Sequence, residues 1–364
     1  MPQLSDIARE AKVSVSTVSL ALRNRPQIPL ATRERVQAIA KALGYQPNPL
    51  VSAYQANVRK GTHQTFRGTI AWIDDTPSGG SKRSAAYTQM LAGAQEQAQA
   101  HGFSLDVLSA DIDPKDDEGN RARLERIMVA RGIVGVIFPP LWWARMLTYE
   151  WQSVAVAAYG GNAGFVEKHD PSGFASLRYT HVVTDVYHDT RLALAHLRGL
   201  GYRRIALITS SYHEIGAGYR FTASRHAFSS EYADVPFIEP WVSGDLTVDP
   251  PRGFRSWLRK ARPDAVLTTL DCSRAWLSAC GLEAPRDIGL AHPFLGSGEE
   301  GWSGVRENNS LVGRTLLDAV VAQVLRGEHG APADPKSLQM IGRWEEGSTT
   351  RPVGKINPRA DQPL

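Results

Sequence analysis

The alternation of short apolar runs with helical stretches, which begins at Gly68, constrains the fold of this chain most strongly. Apolar runs bounded by turn residues predict strands, and the stretches between them have the pattern of helices. The strand candidates are residues 69–73, 103–108, 134–138, 154–159, 204–209, 265–268 and 288–291. The helix candidates are residues 86–100, 119–131, 186–198, 251–261 and 272–280. Strands that alternate with helices indicate βαβ units and mostly parallel sheets.

Two stretches of this body resemble each other, HGFSLDVL at 101–108 and LGYRRIALI at 200–208. In each, a helix ends at glycine and leads directly into a strand, which indicates two similar α/β lobes. The expected body spans 67–350, with an N-lobe at 67–181 and 302–330 and a C-lobe at 182–301 and 331–350. Ligands of parallel sheets bind beyond the carboxyl ends of the strands, so we expect a site in the cleft between the lobes.

Three short helices are predicted ahead of the body, at residues 4–45. The first has apolar residues at helical spacing, namely Leu4, Ile7, Ala8 and Ala11. Ser14 can cap the second helix, and the third begins near Pro29 and ends at Gly44. Two helices joined by a tight turn and backed by a third predict a helix-turn-helix domain at 1–47. A small three-helix bundle without a ligand is the alternative.

The positive charge is concentrated in this head. Residues 1–60 hold nine of the 41 Lys+Arg and three of the 37 Asp+Glu, a net charge of +6, and the rest of the chain has a net charge of −2. A basic head on a near-neutral body favours binding of a polyanion such as DNA. Arg23 and other arginines lie at predicted helix ends and turns, where phosphate contacts are usual.

The two ends of the body are predicted to be linker and tail. Asn48 and Pro49 are a helix cap and a first-turn proline, so residues 49–57 can form a short helix within the linker at 48–66. Such a helix is too short to be stable alone, which favours formation only against DNA, with a flexible tether as the alternative. Residues 351–364 hold three prolines and little apolar content, and we expect a loose tail.

Composition and motifs exclude several classes of protein. Cys272 and Cys280 match no metal-binding spacing, and we expect a reduced, cytoplasmic protein without cofactor or metal. We expect neither a membrane span nor a signal peptide, because the chain has no long apolar run. Gly216 and Gly218 begin like a dinucleotide-binding motif, but Phe221 replaces its third glycine. P-loop, zinc-protease and nucleophile-elbow motifs are missing, so an enzyme is not expected.

The head and body together resemble the LacI/GalR family of bacterial transcription regulators. The head carries LSDIAREAKVSVSTVSLAL, ATRERV and GYQPN, and the body carries LGYRRIALI, RPDAVLTTLD and APRDIGLA in the order of the family. This resemblance implies a helix-turn-helix head, a hinge helix and a two-lobed domain like the periplasmic binding proteins. It also implies a homodimer that binds operator DNA in the bacterial nucleoid and a small-molecule effector, usually a carbohydrate or its derivative. No terminal heptad repeat is present, which favours a dimer over a tetramer.

The resemblance assigns DNA-binding roles by position. Base recognition falls on Val15, Ser16 and Leu20, and Leu20 departs from an arginine that is common there. Phosphate contacts fall on Ser14, Thr17, Ser19, Thr32 and Tyr45. The hinge helix follows Asn48, and the side chain that enters the minor groove is Tyr54, with Leu50 one turn earlier as the alternative.

The effector positions implied by the resemblance lie in both lobes. Arg220, with Arg225 as competitor, corresponds to an arginine that binds ligand hydroxyls, and Asp271 corresponds to an effector-contacting acid. Asp74 ends the first strand, and Tyr87 is expected to form a wall of the pocket. Residues 292–295 read His-Pro-Phe-Leu where the family often has an acidic pair, which leaves the class of ligand open. A solute-binding protein of sugar uptake is the alternative function.

Overall fold

The computed structural model describes residues 4–22, 28–43, 67–76, 83–113, 115–141, 143–162, 178–244, 247, 249–296 and 301–353. The chain divides into two compact units, Met1–Arg67 and Gly68–Leu364, which we call the head and the body. The predicted hinge helix at 49–57 lies outside the described residues.

The described part of the head contains three short helices around a small apolar core. They are α1 (Leu4–Ala11), α2 (Val15–Leu22) and α3 (Leu30–Ala42). Their buried side chains are Ile7, Ala8, Ala11, Val18, Ala21, Val36 and Ala40. The predicted cap is confirmed, since the backbone N–H of Thr17 donates to Ser14 Oγ at 3.1 Å. This bond satisfies an N–H that the first turn of α2 leaves without a helical partner.

The part of the body that the structure describes consists of two six-stranded sheets covered by helices. Its strands are β1 (Thr69–Asp74), β2 (Ser104–Ser109), β3 (Ile133–Phe138), β4 (Ala155–Tyr159), β5 (Thr180–Thr184), β6 (Ile205–Ser210), β7 (Trp241–Ser243), β8 (Ala265–Thr268), β9 (Gly289–Leu295), β10 (Ser303–Arg306), β11 (Ser337–Met340) and β12 (Arg343–Glu345). Its helices are α4 (Ala85–His101), α5 (Asp117–Ala130), α6 (Val186–Gly199), α7 (Ser211–Gly216), α8 (Arg220–Glu231), α9 (Phe254–Ala261), α10 (Ser273–Ala279) and α11 (Asn309–Arg326). Two 3-10 turns, Ala144–Thr148 and Gly160–Asn162, flank β4.

Each sheet forms the centre of one lobe. The N-lobe sheet has the order β11-β5-β4-β3-β1-β2, and the C-lobe sheet has the order β12-β10-β9-β8-β6-β7. Their described pairs are parallel except for β10 with β12, which are antiparallel. Apolar side chains pack on both faces of each sheet, which explains why central strands such as β3, β4, β6 and β8 are mainly apolar.

Three crossover segments connect the lobes, at residue 185, residues 307–308 and residues 341–342. The backbone N–H of Asp185 donates to the carbonyl of Met340 at 2.8 Å, which joins the first segment to the strand before the third. Asp189 Oδ1 accepts from the N–H of Gly342 at 2.9 Å. The first and third crossovers are therefore joined by hydrogen bonds between residues that are distant in sequence.

The boundaries of the lobes differ from those expected. The chain leaves the N-lobe after Thr184 and not after residue 181, because β5 pairs with β4 and β11. It returns after Arg306 and not after residue 301, because β10 belongs to the C-lobe sheet. The third crossing follows Met340 and not residue 330.

The start of the expected tail is not loose. The N–H of Val353 donates to the carbonyl of Leu200 at 2.7 Å, and its side chain packs on the C-lobe core. Arg351 donates to the carbonyl of Arg286 at 2.8 Å. Residues 351–353 therefore belong to the C-lobe, and the remainder of the predicted tail lies outside the described residues.

Candidate functional site

A cavity of about 640 Å³ lies between the two lobes, at the ends of the central strands. Its apolar lining includes Met90 and Val183 from the N-lobe and Phe221 and Phe294 from the C-lobe. The rings of Phe221 and Phe294 lie 5.7 Å apart and form a continuous wall. A largely apolar cavity of this size with a few polar groups is typical of a small-molecule site.

Glu307 is a carboxyl group of this cavity that the sequence analysis missed. It lies on the second crossover segment, directly after β10, and lines the cavity. Burial raises the pKa of Glu307 from 4.5 to about 7; a hydrogen bond with Thr184 opposes this shift and the charge of Asp189 adds to it. Glu307 therefore stands between the lobes as an acid that titrates near neutral pH.

Two histidines of the C-lobe line the same cavity. His213 Nδ1 lies 2.9 Å from Thr269 Oγ1, and the Thr269 hydroxyl donates to Thr209 at 3.0 Å. His213 therefore donates through Nδ1 and keeps Nε2 as an acceptor. His292 Nδ1 accepts from the N–H of Phe294 at 3.2 Å. Burial lowers the pKa of His213, and burial followed by the charge of His213 lowers the pKa of His292 to about 3.

Two of the predicted effector residues line the cavity. Arg220 is exposed at the first residue of α8, after Tyr219 with a φ of 59°. Asp271 follows β8 with an exposed side chain, and its Oδ1 lies 3.8 Å from His292 Nε2. The structure therefore brings Arg220 and Asp271 to one cavity from separate elements of the C-lobe.

Asp74 and Tyr87 are not among the lining residues. Asp74 forms an ion pair with Arg83 at 2.7 Å and accepts from the hydroxyl of Thr76 at 2.5 Å. The buried Tyr87 hydroxyl accepts from Trp72 Nε1 at 2.9 Å, and Arg83 stacks 4.4 Å above the ring centre. Burial raises the pKa of Tyr87 to about 12. Both residues therefore organise the N-lobe beside the cavity and do not form its wall.

Arg225, the competitor of Arg220, is completely buried in the C-lobe. Its guanidinium donates to the carbonyls of Ile205 at 3.0 Å and Pro236 at 2.6 Å and to the hydroxyl of Ser229. Burial lowers the pKa of Arg225 to about 10. These bonds occupy its donors inside the lobe, so Arg225 is a structural residue.

The surface of α2 is uncharged and partly apolar. Val15 is 46% exposed, Ser16 is exposed and Leu20 is half-buried. Ser14 Oγ lies 2.7 Å from Ser16 Oγ and 2.8 Å from Thr17 Oγ1. These hydroxyls form a polar cluster at the start of α2, next to the exposed valine.

The remaining predicted DNA contacts are only partly described. Thr32 is half-buried in the first turn of α3, and its N–H donates to the carbonyl of Pro29 at 3.0 Å. The predicted contacts outside the described residues are Arg23, Tyr45, Asn48, Leu50, Tyr54 and the side chain of Ser19.

Neither a membrane-spanning helix nor a metal cluster occurs in the part of the chain that the structure describes. No helix there is long and apolar enough to cross a membrane. Among the same residues, no group of three or more His, Cys, Asp or Glu side chains could hold a metal ion.

A helix-turn-helix head and a two-lobed body with a ligand-sized cavity define a class of protein by its fold. Comparison with known proteins identifies the head: residues 3–48 match the family model described as "Bacterial regulatory proteins, lacI family". The chain carries a lacI-family helix-turn-helix domain, and the resemblance found in the sequence is confirmed.

The relatives are transcription regulators, not enzymes. The chain is 33% identical over 104 residues to "HTH-type transcriptional regulator MalR" of Staphylococcus xylosus and 31% identical over 100 residues to "HTH-type transcriptional repressor CytR" of Escherichia coli (strain K12). These matches cover 29% and 28% of this chain and 28% and 26% of the relatives. A match to "HTH-type transcriptional repressor PurR" of Klebsiella pneumoniae (strain 342) is 24% identical and covers 80% of both chains.

Solved structures match the fold along nearly the whole chain. The "transcriptional regulator CelR-cellobiose complex" is 21% identical with a TM-score of 0.55, and the match covers 96% of this chain and 100% of that one. The lac repressor dimer bound to operator and the anti-inducer ONPF is 20% identical with a TM-score of 0.53, covering 96% and 99%. The predicted fold class, a helix-turn-helix head with a two-lobed α/β body, is confirmed.

Proposed function

We propose that this protein is a ligand-responsive transcription regulator that represses its targets by binding a near-palindromic operator as a homodimer. The observation that carries the proposal is the presence, on one chain, of a lacI-family head and a cavity between two lobes. A solute-binding protein of sugar uptake has a use for the cavity but none for the head, so the regulator is favoured. Such a regulator acts on DNA in the bacterial cytoplasm.

The head has the features needed for two kinds of DNA contact. Its net charge of +6 over residues 1–60 supplies affinity for phosphate that falls steeply with salt. The outward side chains of α2 are uncharged, so we propose that Val15 and Leu20 read bases through apolar contacts such as thymine methyl groups. Ser14, Thr17, Ser19, Thr32 and Tyr45 are proposed to position the head on the phosphates. We further propose that Tyr54 of each hinge enters the minor groove.

The body supplies the control. A ligand that contacts Arg220 and Asp271 on the C-lobe and the wall formed by Met90 and Val183 on the N-lobe bridges the lobes, so it stabilises one lobe arrangement over others. One structural neighbour is a complex with cellobiose, which supports a carbohydrate or its derivative as the ligand of this cavity. The ligand changes operator affinity only if it binds one arrangement of the lobes more tightly than another. Each tenfold change in operator affinity requires a difference of about 1.4 kcal/mol between the free energies of ligand binding to the two arrangements.

The experiment is a footprint of the full chain on genomic fragments enriched by binding. We expect protection of an inverted repeat whose half-sites are related by a two-fold axis, and affinity that falls by orders of magnitude with added salt. A control with Val15→Ala and Leu20→Ala should lose the footprint but keep salt-dependent binding to random DNA. Uniform, sequence-independent protection by the unchanged chain would contradict the proposal.

A further inference from the structure

Several polar groups of the cavity between the lobes are hydrogen-bond acceptors. Glu307 and Asp271 contribute carboxyl groups, and His213 contributes Nε2, because its Nδ1 is engaged with Thr269. Asn309 also lines the cavity, and its Oδ1 is buried without a hydrogen-bond partner. A buried acceptor left unpaired costs about 1–3 kcal/mol, so a ligand that supplies a donor gains that energy.

The charged groups around this cavity are also mainly acidic. Arg220 is the only arginine or lysine among the described lining residues, and it is exposed where α8 begins. Among the described residues, a hydrogen bond with Thr184 is the one interaction that lowers the pKa of Glu307. No cation contributes to that lowering. A nearby second acid, Asp189, is buried, and its Oδ2 also has no partner. A positively charged ligand group close to Glu307 would therefore lie near two acids. No arginine or lysine of the described residues competes with it there.

We propose that the cavity binds a ligand that carries a protonated amine beside hydroxyl groups, such as an amino sugar or amino polyol, and that Glu307 pairs with the amine. An ammonium group offers three donors and one positive charge, which match the carboxylate of Glu307 and the acceptors around it. Arg220 and Asp271, at the exposed side, remain available for hydroxyls. This inference rests on the proposed function, because it assigns the effector of the same cavity.

Ionised Glu307 is the form that pairs with the amine, so binding releases a proton where the free acid is protonated. Other ionisable groups also face Glu307 and bear on the same pH range. They are Tyr159 and Asp189 beside it, and Arg220, His213, Asp271 and His292 around the cavity. Burial raises the pKa of Tyr159 and lowers those of both histidines, so these three stay neutral near pH 7. Affinity for an amine should therefore rise about tenfold per pH unit as pH increases towards about pH 7, and fall again above the pKa of the amine itself.

The test uses the full chain and ligands matched in shape but not in charge. The sets are glucosamine, glucose and glucuronate; galactosamine, galactose and galacturonate; and glucamine, sorbitol and gluconate. Thermal unfolding at about pH 7.5, with each ligand at about 20 mM, reports binding as a rise in Tm. We expect stabilisation by at least one amine and by neither its neutral nor its acidic counterpart. Stabilisation by a neutral or acidic member without its amine, or by no amine at all, would overturn the inference.

A variant then tests the assigned residue. Glu307→Gln keeps the shape but cannot carry the charge, so we expect at least tenfold weaker amine binding and no rise in affinity as pH increases towards about pH 7. Glu239→Gln, at an exposed C-lobe position, is the matched control and should bind like the unchanged chain. Unaltered amine binding by Glu307→Gln would remove Glu307 from the site. A neutral sugar that alters operator binding would overturn the inference and leave the proposed function standing. Amine binding by a chain that binds no operator would overturn the proposed function and leave the amine site standing.

Discussion

Replacing Glu307 by glutamine should change how the stability of the body depends on pH, even without ligand. In the folded chain burial raises the pKa of Glu307 from 4.5 to about 7. Between these values the folded state binds more protons than the unfolded state, so the stability that Glu307 contributes is lost as pH rises. At about 1.4 kcal/mol per pH unit the full effect is about 3 kcal/mol, and relaxation around the carboxylate reduces it to about 1–3 kcal/mol.

The assay is urea unfolding followed by tryptophan fluorescence at about pH 5 and about pH 8. All nine tryptophans lie beyond residue 67, so the signal reports the body and not the head. The unchanged chain should lose about 1–3 kcal/mol more than Glu307→Gln between the two pH values. Glu239→Gln should behave like the unchanged chain. If Glu307→Gln and the unchanged chain lose equal stability, Glu307 does not titrate in this range and the reasoning is wrong.

Three further substitutions test separate parts of the structure. Ser14→Ala removes the acceptor for the Thr17 N–H and should destabilise the head by about 1 kcal/mol, measured by circular dichroism on thermal unfolding. Gly313→Val should unfold the body at markedly lower urea, because a Cβ at Gly313 would lie 1.8 Å from the carbonyl oxygen of Met90; an unchanged midpoint would contradict this packing. Tyr54→Ala should weaken binding to the operator more than to random DNA in a filter-binding assay; equal losses would mean that Tyr54 makes no wedge.

The central strands of the body could be predicted from sequence to within a few residues. Val136, Ile137 and Phe138 on β3, for example, are buried on both faces, and a doubly buried strand shows as an unbroken apolar run. Five strands were missed, and three of them, β5, β10 and β11, are short and mixed in polarity, reading THVVT, SGVR and SLQM. They lie next to the crossover segments, so the same weak signal also misplaced the boundaries of the lobes.

The candidate site could be predicted only in part, because burial depends on partners that are distant in sequence. Arg220 and Arg225 lie on one helix, and only the packing of that helix shows that Arg220 lines the cavity while Arg225 bonds inside the lobe. Glu307 follows a short strand, and Thr184, which opposes the rise in its pKa, lies at the end of another. No periodic pattern in the sequence indicates that Thr184 and Glu307, which lie beside different crossovers, contact each other.

The crossover segments lie where the cavity between the lobes meets the joints of the body. Asp189 binds the N–H of Gly342 on the third segment, and Glu307 on the second contributes to the cavity. A ligand that changes the charge or hydration of Glu307 therefore acts where the lobes are joined. This gives a physical route by which a small ligand can favour one arrangement of the lobes.

The most direct test of control by the body is the affinity of the full chain for its operator with and without a ligand that stabilises the body. Fluorescence anisotropy of a labelled operator fragment gives both dissociation constants at one salt concentration. We predict that saturating ligand changes operator affinity at least about tenfold, a coupling of about 1.4 kcal/mol or more. Equal operator affinity with the cavity empty and saturated would contradict control of the head by the body.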